Sequence, residues 1–109
     1  MSLSQKKPLS TASPLSELIQ AVMVDDVEKV QELLTRGVSP NAYEDEAQVR
    51  PLHFAAQCNA LQSALLLIKA GADIKAETAD GLTPWAIAKI NLHEEMMLAL
   101  LADIDLVKH

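Results

Sequence analysis

Apolar residues return at intervals of three and four in three separate stretches of the chain: Val27, Val30, Leu33 and Leu34; Leu61, Ala64, Leu65 and Ile68; and Met97, Leu100, Leu101 and Ile104. That recurrence predicts amphipathic helices with one face in a core. The first two stretches end at Gly37 and Gly71, the residue type that most readily takes the left-handed turn closing a helix. Ahead of each stretch lies a segment of small residues, Ala21-Val22, Ala55-Ala56, and Ala86 with Ala88, which admits a neighbouring helix at close range. Thr83-Pro84 supplies a capping hydroxyl followed by proline at a helical position where a missing N–H costs nothing. Asp80-Gly81 has the chemistry of a turn.

These segments recur at a fixed period. Pro51 in RPLHFAA (50–56) and Pro84 in TPWAIAK (83–89) are 33 residues apart, and Gly37 in LLTRGVSPNA (33–42) and Gly71 in LIKAGADIKA (67–76) are 34 apart. The one-residue slip falls between Ala42 and Pro51, where the first connecting loop is longer than its counterpart between Ala76 and Pro84. A period of this length is a solenoid signal.

Helix, short turn, helix, glycine stop and extended finger in 33 residues resembles the ankyrin repeat, over residues 15–109 as repeats 15–42, 43–76 and 77–109. The middle repeat carries the resemblance most specifically, through Pro51-Leu52-His53-x-Ala55-Ala56 and Gly71-Ala72-Asp73-Ile74; the third carries it through Asp80-Gly81-x-Thr83-Pro84. The resemblance implies an all-α solenoid of stacked helix-turn-helix units with short finger loops, with an irregular helical bundle as the alternative. In the family motif a threonine and a histidine two residues past the proline bond each other. Here His53 is paired with Arg50 in the threonine position, and Thr83 with Ala86 in the histidine position. The first repeat has Ser16-Glu17 in place of Thr-Pro, and the third has Ile104 in place of the stopping glycine. The outer repeats therefore read as end caps, and the expected thermal stability is in the ordinary mesophile range or below.

Composition narrows the class. Half of the 109 residues are apolar but only 3% are aromatic; 17 leucines and 16 alanines favour helices over sheet. The net charge of −6 becomes −8 within residues 15–109, which argues against nucleic acid and anionic membranes as partners. The longest apolar run, Met96 to Ala102, falls far short of the roughly 20 residues that span a bilayer. Residues 1–14, rich in Ser, Thr, Lys and Pro and without a secretory h-region, read as a flexible leader. A single cysteine, Cys58, fits a reducing compartment: the cytoplasm, or the nucleus in a eukaryote, with a secreted effector as the remaining option.

Catalytic chemistry finds little support. Cys58 and His53 lie five residues apart on one helix, about 140° around it, so they do not face each other. His93-Glu94-Glu95 resembles the start of the zinc-protease signature, but Met97 stands where the second histidine belongs, and it reads as a solvated helix start. The three histidines are scattered and the three glycines form no phosphate loop, so no metal and no cofactor are expected.

What remains is the surface, and the expected function is non-enzymatic protein–protein interaction. The resemblance implies a concave face with finger contacts at Tyr43, Glu46, Ala47, Val49, Glu77, Ala79, Asp80 and Leu82, and first-helix contacts at Met23, Val24, Gln57, Cys58, Ile90 and Asn91. Edged by Glu44, Asp45, Glu46, Glu77 and Asp80, such a groove suits a partner segment with apolar anchors and basic flanks. Tyr43 is the best single anchor, with a stacking role in the finger as its alternative; Trp85 reads as core. The rival reading places function on the third repeat, where Met96, Met97, Leu98, Leu100 and Leu101 exceed what one buried stripe can hide. There the Ile104 to Val107 tail folds back, or the face masks a partner enzyme, or a second copy forms a weak homodimer through Met96 and Met97.

Overall fold

Serine, aspartate and threonine at helix starts, and left-handed residues at helix ends, divide this chain into paired helices. The computed structural model describes the backbone of residues 13–108 and the side chains of residues 13–101. Among these residues six helices follow in order: α1 (Pro14–Met23), α2 (Val27–Thr35), α3 (Pro51–Cys58), α4 (Leu61–Lys69), α5 (Pro84–Ile90) and α6 (Glu94–Lys108), with no strand. The Ser13 hydroxyl accepts the Ser16 N–H, the Asp26 carboxylate that of Lys29, and the Thr83 hydroxyl that of Ala86, satisfying donors that the first helical turn leaves open.

Helix ends follow one rule. Gly37 and Gly71 have φ of 101° and 104°, and after each helix two N–H groups fold back onto the last-turn carbonyls, Gly37 to Leu34 and Val38 to Leu33, Gly71 to Ile68 and Ala72 to Leu67. The tight turns inside the repeats use the same conformation without glycine: Asp25 (φ 55°), Asn59 (φ 57°) and Leu92 (φ 60°), spaced 34 and 33 residues apart. The two finger turns use it again, at Gln48 (φ 57°) and Gly81 (φ 85°).

The first helices α1, α3 and α5 pack side by side, and α2, α4 and α6 back them. Leu18, Val22, Val30, Leu33, Leu52, Leu67, Met96 and Leu100 fill the core between the two layers. Ala55 and Ala56 are wholly buried in the middle helix, where a larger side chain would push α1 or α5 away. This is the expected all-α solenoid.

Several expectations are corrected in detail. α1 begins at Pro14 with Ser13 as its cap, ahead of Ser16-Glu17; Glu17 precedes the left-handed turn at Asp25 by the same eight residues that separate Pro51 from Asn59, so Ser16-Glu17 keeps the Thr-Pro register and α1 extends it toward the N-terminus. Residues 1–12 of the expected leader lie outside the described residues. In α4 the buried positions are Ser63, Ala64 and Leu67, while Leu65 is exposed. In α6 the core stripe is Met96 and Leu100, one residue earlier than the stripe through Met97 and Leu101, and Leu98 and Leu101 face outward. Met96, at 0% exposure, is withdrawn from any surface contact with a second copy; Met97 is half-buried. Residues 104–107 continue α6 as helix instead of folding back, and their side chains lie outside the described set. Trp85 packs on the core while the Lys89 ammonium sits 5.2 Å above its ring.

Candidate partner-binding groove

The fingers are held by polar groups that reach between repeats. Asn41 donates its amide N–H to the Gly71 carbonyl at 3.0 Å and accepts the Asp73 N–H at 2.7 Å, pinning the first finger to the second. At the finger turns the Ala79 N–H donates to the Ala47 carbonyl at 2.9 Å. His53, buried at the start of α3, accepts the Arg50 N–H at Nδ1 and donates from Nε2 to the carbonyls of Ala76 and Leu82, each at 3.0 Å. The missing threonine of the expected lock is thus replaced by a backbone N–H. Burial pushes the His53 pKa below its ordinary value; the two carbonyls oppose that shift and the Arg50 charge adds to it. The neutral ring is the form that this geometry uses.

Between the fingers and the first helices lies a groove of about 350 Å³, lined by Ala47, Val49, Gln57, Thr78, Asp80, Leu82, Ile87, Ile90 and Asn91. It brings together seven of the sequence-derived contact residues: Ala47, Val49, Gln57, Asp80, Leu82, Ile90 and Asn91. Ile90 is 68% exposed, an unusual position for an isoleucine fixed on a helix. Thr78 and Ile87 also line the groove and are not among the contact positions that the resemblance implied.

The other sequence-derived residues lie elsewhere. Val24 lines a shallow depression on the first repeat with Glu17, Gln20, Ala21, Asp26 and Lys29, and Met23 is exposed at the end of α1. Tyr43, 45% exposed, stacks under the Arg50 guanidinium, 5.2 Å from the ring centroid, which occupies one of its faces. Glu44 accepts the Ser13 hydroxyl at 3.1 Å, tying the first finger to the start of α1. Glu46, Glu77 and Ala79 are exposed on the fingers, and Cys58 is an exposed free thiol at the end of α3. His93, expected to be solvated, is half-buried and bonds the Ala56 carbonyl through Nδ1 at 3.0 Å, tying the start of α6 to α3.

The profile of the family described as "Ankyrin repeats (many copies)" matches residues 33–88, just over half of the chain. The chain belongs to the ankyrin-repeat family. The mouse (Mus musculus) 2-5A-dependent ribonuclease is 43% identical over 75 residues, 69% of this chain and 10% of the relative. The human (Homo sapiens) 2-5A-dependent ribonuclease is 40% identical over 73 residues, 67% of this chain and 10% of the relative. The ARF GTPase-activating protein Git of Drosophila melanogaster is 31% identical over 85 residues, 78% of this chain and 12% of the relative. The chain therefore spans about a tenth of the length of these relatives. Ankyrin repeats generally mediate protein–protein interaction. Among the described residues no three His, Cys, Asp or Glu side chains gather as metal ligands, and no helix is long and apolar enough to cross a membrane.

Proposed function

We propose that this ankyrin module captures a segment of another protein in the groove between its fingers and first helices, without catalysis of its own and without a cofactor. The observation that carries this reading is the 350 Å³ groove itself, where Val49, Leu82, Ile87 and Ile90 meet the acidic finger residue Asp80 on a frame whose fingers are already tied in place. A frame ordered before binding lowers the entropic cost of capture. The partner segment offers apolar anchors with basic flanks, and the exposed Cys58 thiol suits work in a reducing compartment such as the cytoplasm.

Selection of random peptides on the immobilised protein tests this. The expected result is enrichment of apolar residues beside Lys or Arg, with binding abolished by Leu82→Glu combined with Ile90→Glu. A second reading is favoured by Leu98 and Leu101 on the outside of α6, which mark an apolar end face for a partner enzyme or for self-association. If Leu98→Glu with Leu101→Glu abolishes binding while the groove pair leaves it intact, the end face takes over the role.

A further inference from the structure

We infer that the groove receives the side chain of one lysine or arginine of the partner, its stem along the apolar wall and its charge on Asp80; the inference rests on the groove being the partner site. The lining has two chemistries. Val49, Leu82, Ile87 and Ile90 supply an apolar wall, and the polar groups beside it are Asp80, Thr78, Gln57 and Asn91, with no lysine or arginine among the lining residues.

The hydrogen-bonding state of those polar groups sets what they still offer. One of the two Asn91 amide N–H groups is spent on the Ile87 carbonyl at 2.8 Å, which leaves its side-chain oxygen as an acceptor and one N–H as a donor. Thr78 Oγ1 already accepts the Leu82 N–H at 3.2 Å. Asp80 is in no ion pair among the described residues, where Arg36 with Glu32 is the one salt bridge. The groove thus presents one full charge, the Asp80 carboxylate, and the neutral side chains of Gln57, Thr78 and Asn91 beside a hydrocarbon wall. An anion has no counter-charge there, and a purely apolar chain leaves Asp80 facing it. A lysine or arginine side chain, with a hydrocarbon stem ending in donors only, satisfies both chemistries at once. The basic residue therefore sits inside the groove and not only on the flank of the bound segment.

The test is a heteronuclear NMR titration of the full chain with two acetylated tripeptide amides, Leu-Arg-Leu and Leu-citrulline-Leu, of nearly equal shape and differing in charge. The arginine peptide is expected to shift the amides of Thr78, Asp80, Leu82 and Ile90, with the citrulline peptide about threefold weaker, the range of an exposed ion pair. Asp80→Asn, at an exposed turn position that asparagine tolerates, is expected to equalise the two. Equal binding of both peptides in the groove of the unaltered protein, or an arginine preference that survives Asp80→Asn, overturns the inference and leaves the groove as an apolar site. Shifts from neither peptide in the groove overturn the inference together with the reading it rests on.

Discussion

The Asp25 carboxylate accepts both the backbone N–H and the hydroxyl of Ser63, at 3.0 and 2.6 Å. Ser63 is the third residue of α4, whose own N-cap position is Ala60 and brings no side-chain acceptor. The first repeat therefore caps a helix of the second, and a local turn becomes part of the stacking interface. Asp25→Gly keeps the left-handed backbone and removes the cap, so it is expected to cost about 1–2 kcal/mol. Asp25→Ala is expected to cost about 1 kcal/mol more, from the positive φ. Thermal unfolding followed by circular dichroism checks this; a glycine variant as stable as the parent shows that the cross-repeat cap contributes nothing.

Leu92 occupies the position that Asp25 and Asn59 hold in the other repeats, with φ 60° and 80% of its surface in solvent. It bears the left-handed strain of a bulky residue with little burial in return. Leu92→Asn is expected to raise stability by about 0.5–1 kcal/mol, since asparagine visits this conformation far more readily. Chemical denaturation measures it, and an unchanged or lower midpoint argues that Leu92 is held by contacts that outweigh its backbone.

Gly37 and Gly71 announce their turns by residue type, but Asp25, Asn59 and Leu92 share a backbone conformation while differing in chemistry. The Pro51 to Pro84 period was legible because α3 and α5 sit in similar frames. Ser13-Pro14 was not, because α1 starts three residues ahead of the α3 frame, which carries the first Ser-Pro step out of register. In α6 the paired Met96-Met97 and Leu100-Leu101 satisfy helical spacing in two phases one residue apart, and only packing against α4 and α5 selects Met96 and Leu100. Most of the groove lining followed from the repeat frame. The partners of Asp25, Asn41 and Tyr43 did not, since the cap on Ser63 and the tie to Asp73 cross 38 and 32 residues of chain, and the Arg50 guanidinium reaches Tyr43 across the longer finger.

His53 makes stability depend on pH. Its folded-state pKa lies below the ordinary value of about 6.5, so at mildly acidic pH the unfolded chain binds the proton more readily than the folded one. The contribution of neutral His53 is therefore complete above pH 6.5 or so and is lost as pH falls from there through the folded pKa. A proton on Nδ1 also removes the acceptor of the Arg50 N–H. The urea midpoint is expected to fall on going from pH 7.5 to 5.0, and to fall less in His53→Gln, which is less stable at neutral pH. A His53→Gln profile as steep as the parent's assigns the dependence to other groups.

Met96 and Leu98 separate the two faces of α6. Met96 is fully buried with Leu100, whereas Leu98 is 66% exposed only two residues away. Truncating a buried methionine removes transfer energy and leaves a cavity, so Met96→Ala is expected to cost about 2–5 kcal/mol. In a stack of three repeats, that loss also reaches the middle repeat, because α6 is what covers α4 and α5 on that side. Leu98→Ala is expected to stay within about 0.5 kcal/mol of the parent. Equilibrium denaturation of both variants decides the register of the helix: equal losses place Leu98 in the core too, and a tolerated Met96→Ala places the stripe back on Met97 and Leu101. In either of those cases the end face has a different composition, and the surface available to a partner on the third repeat changes with it.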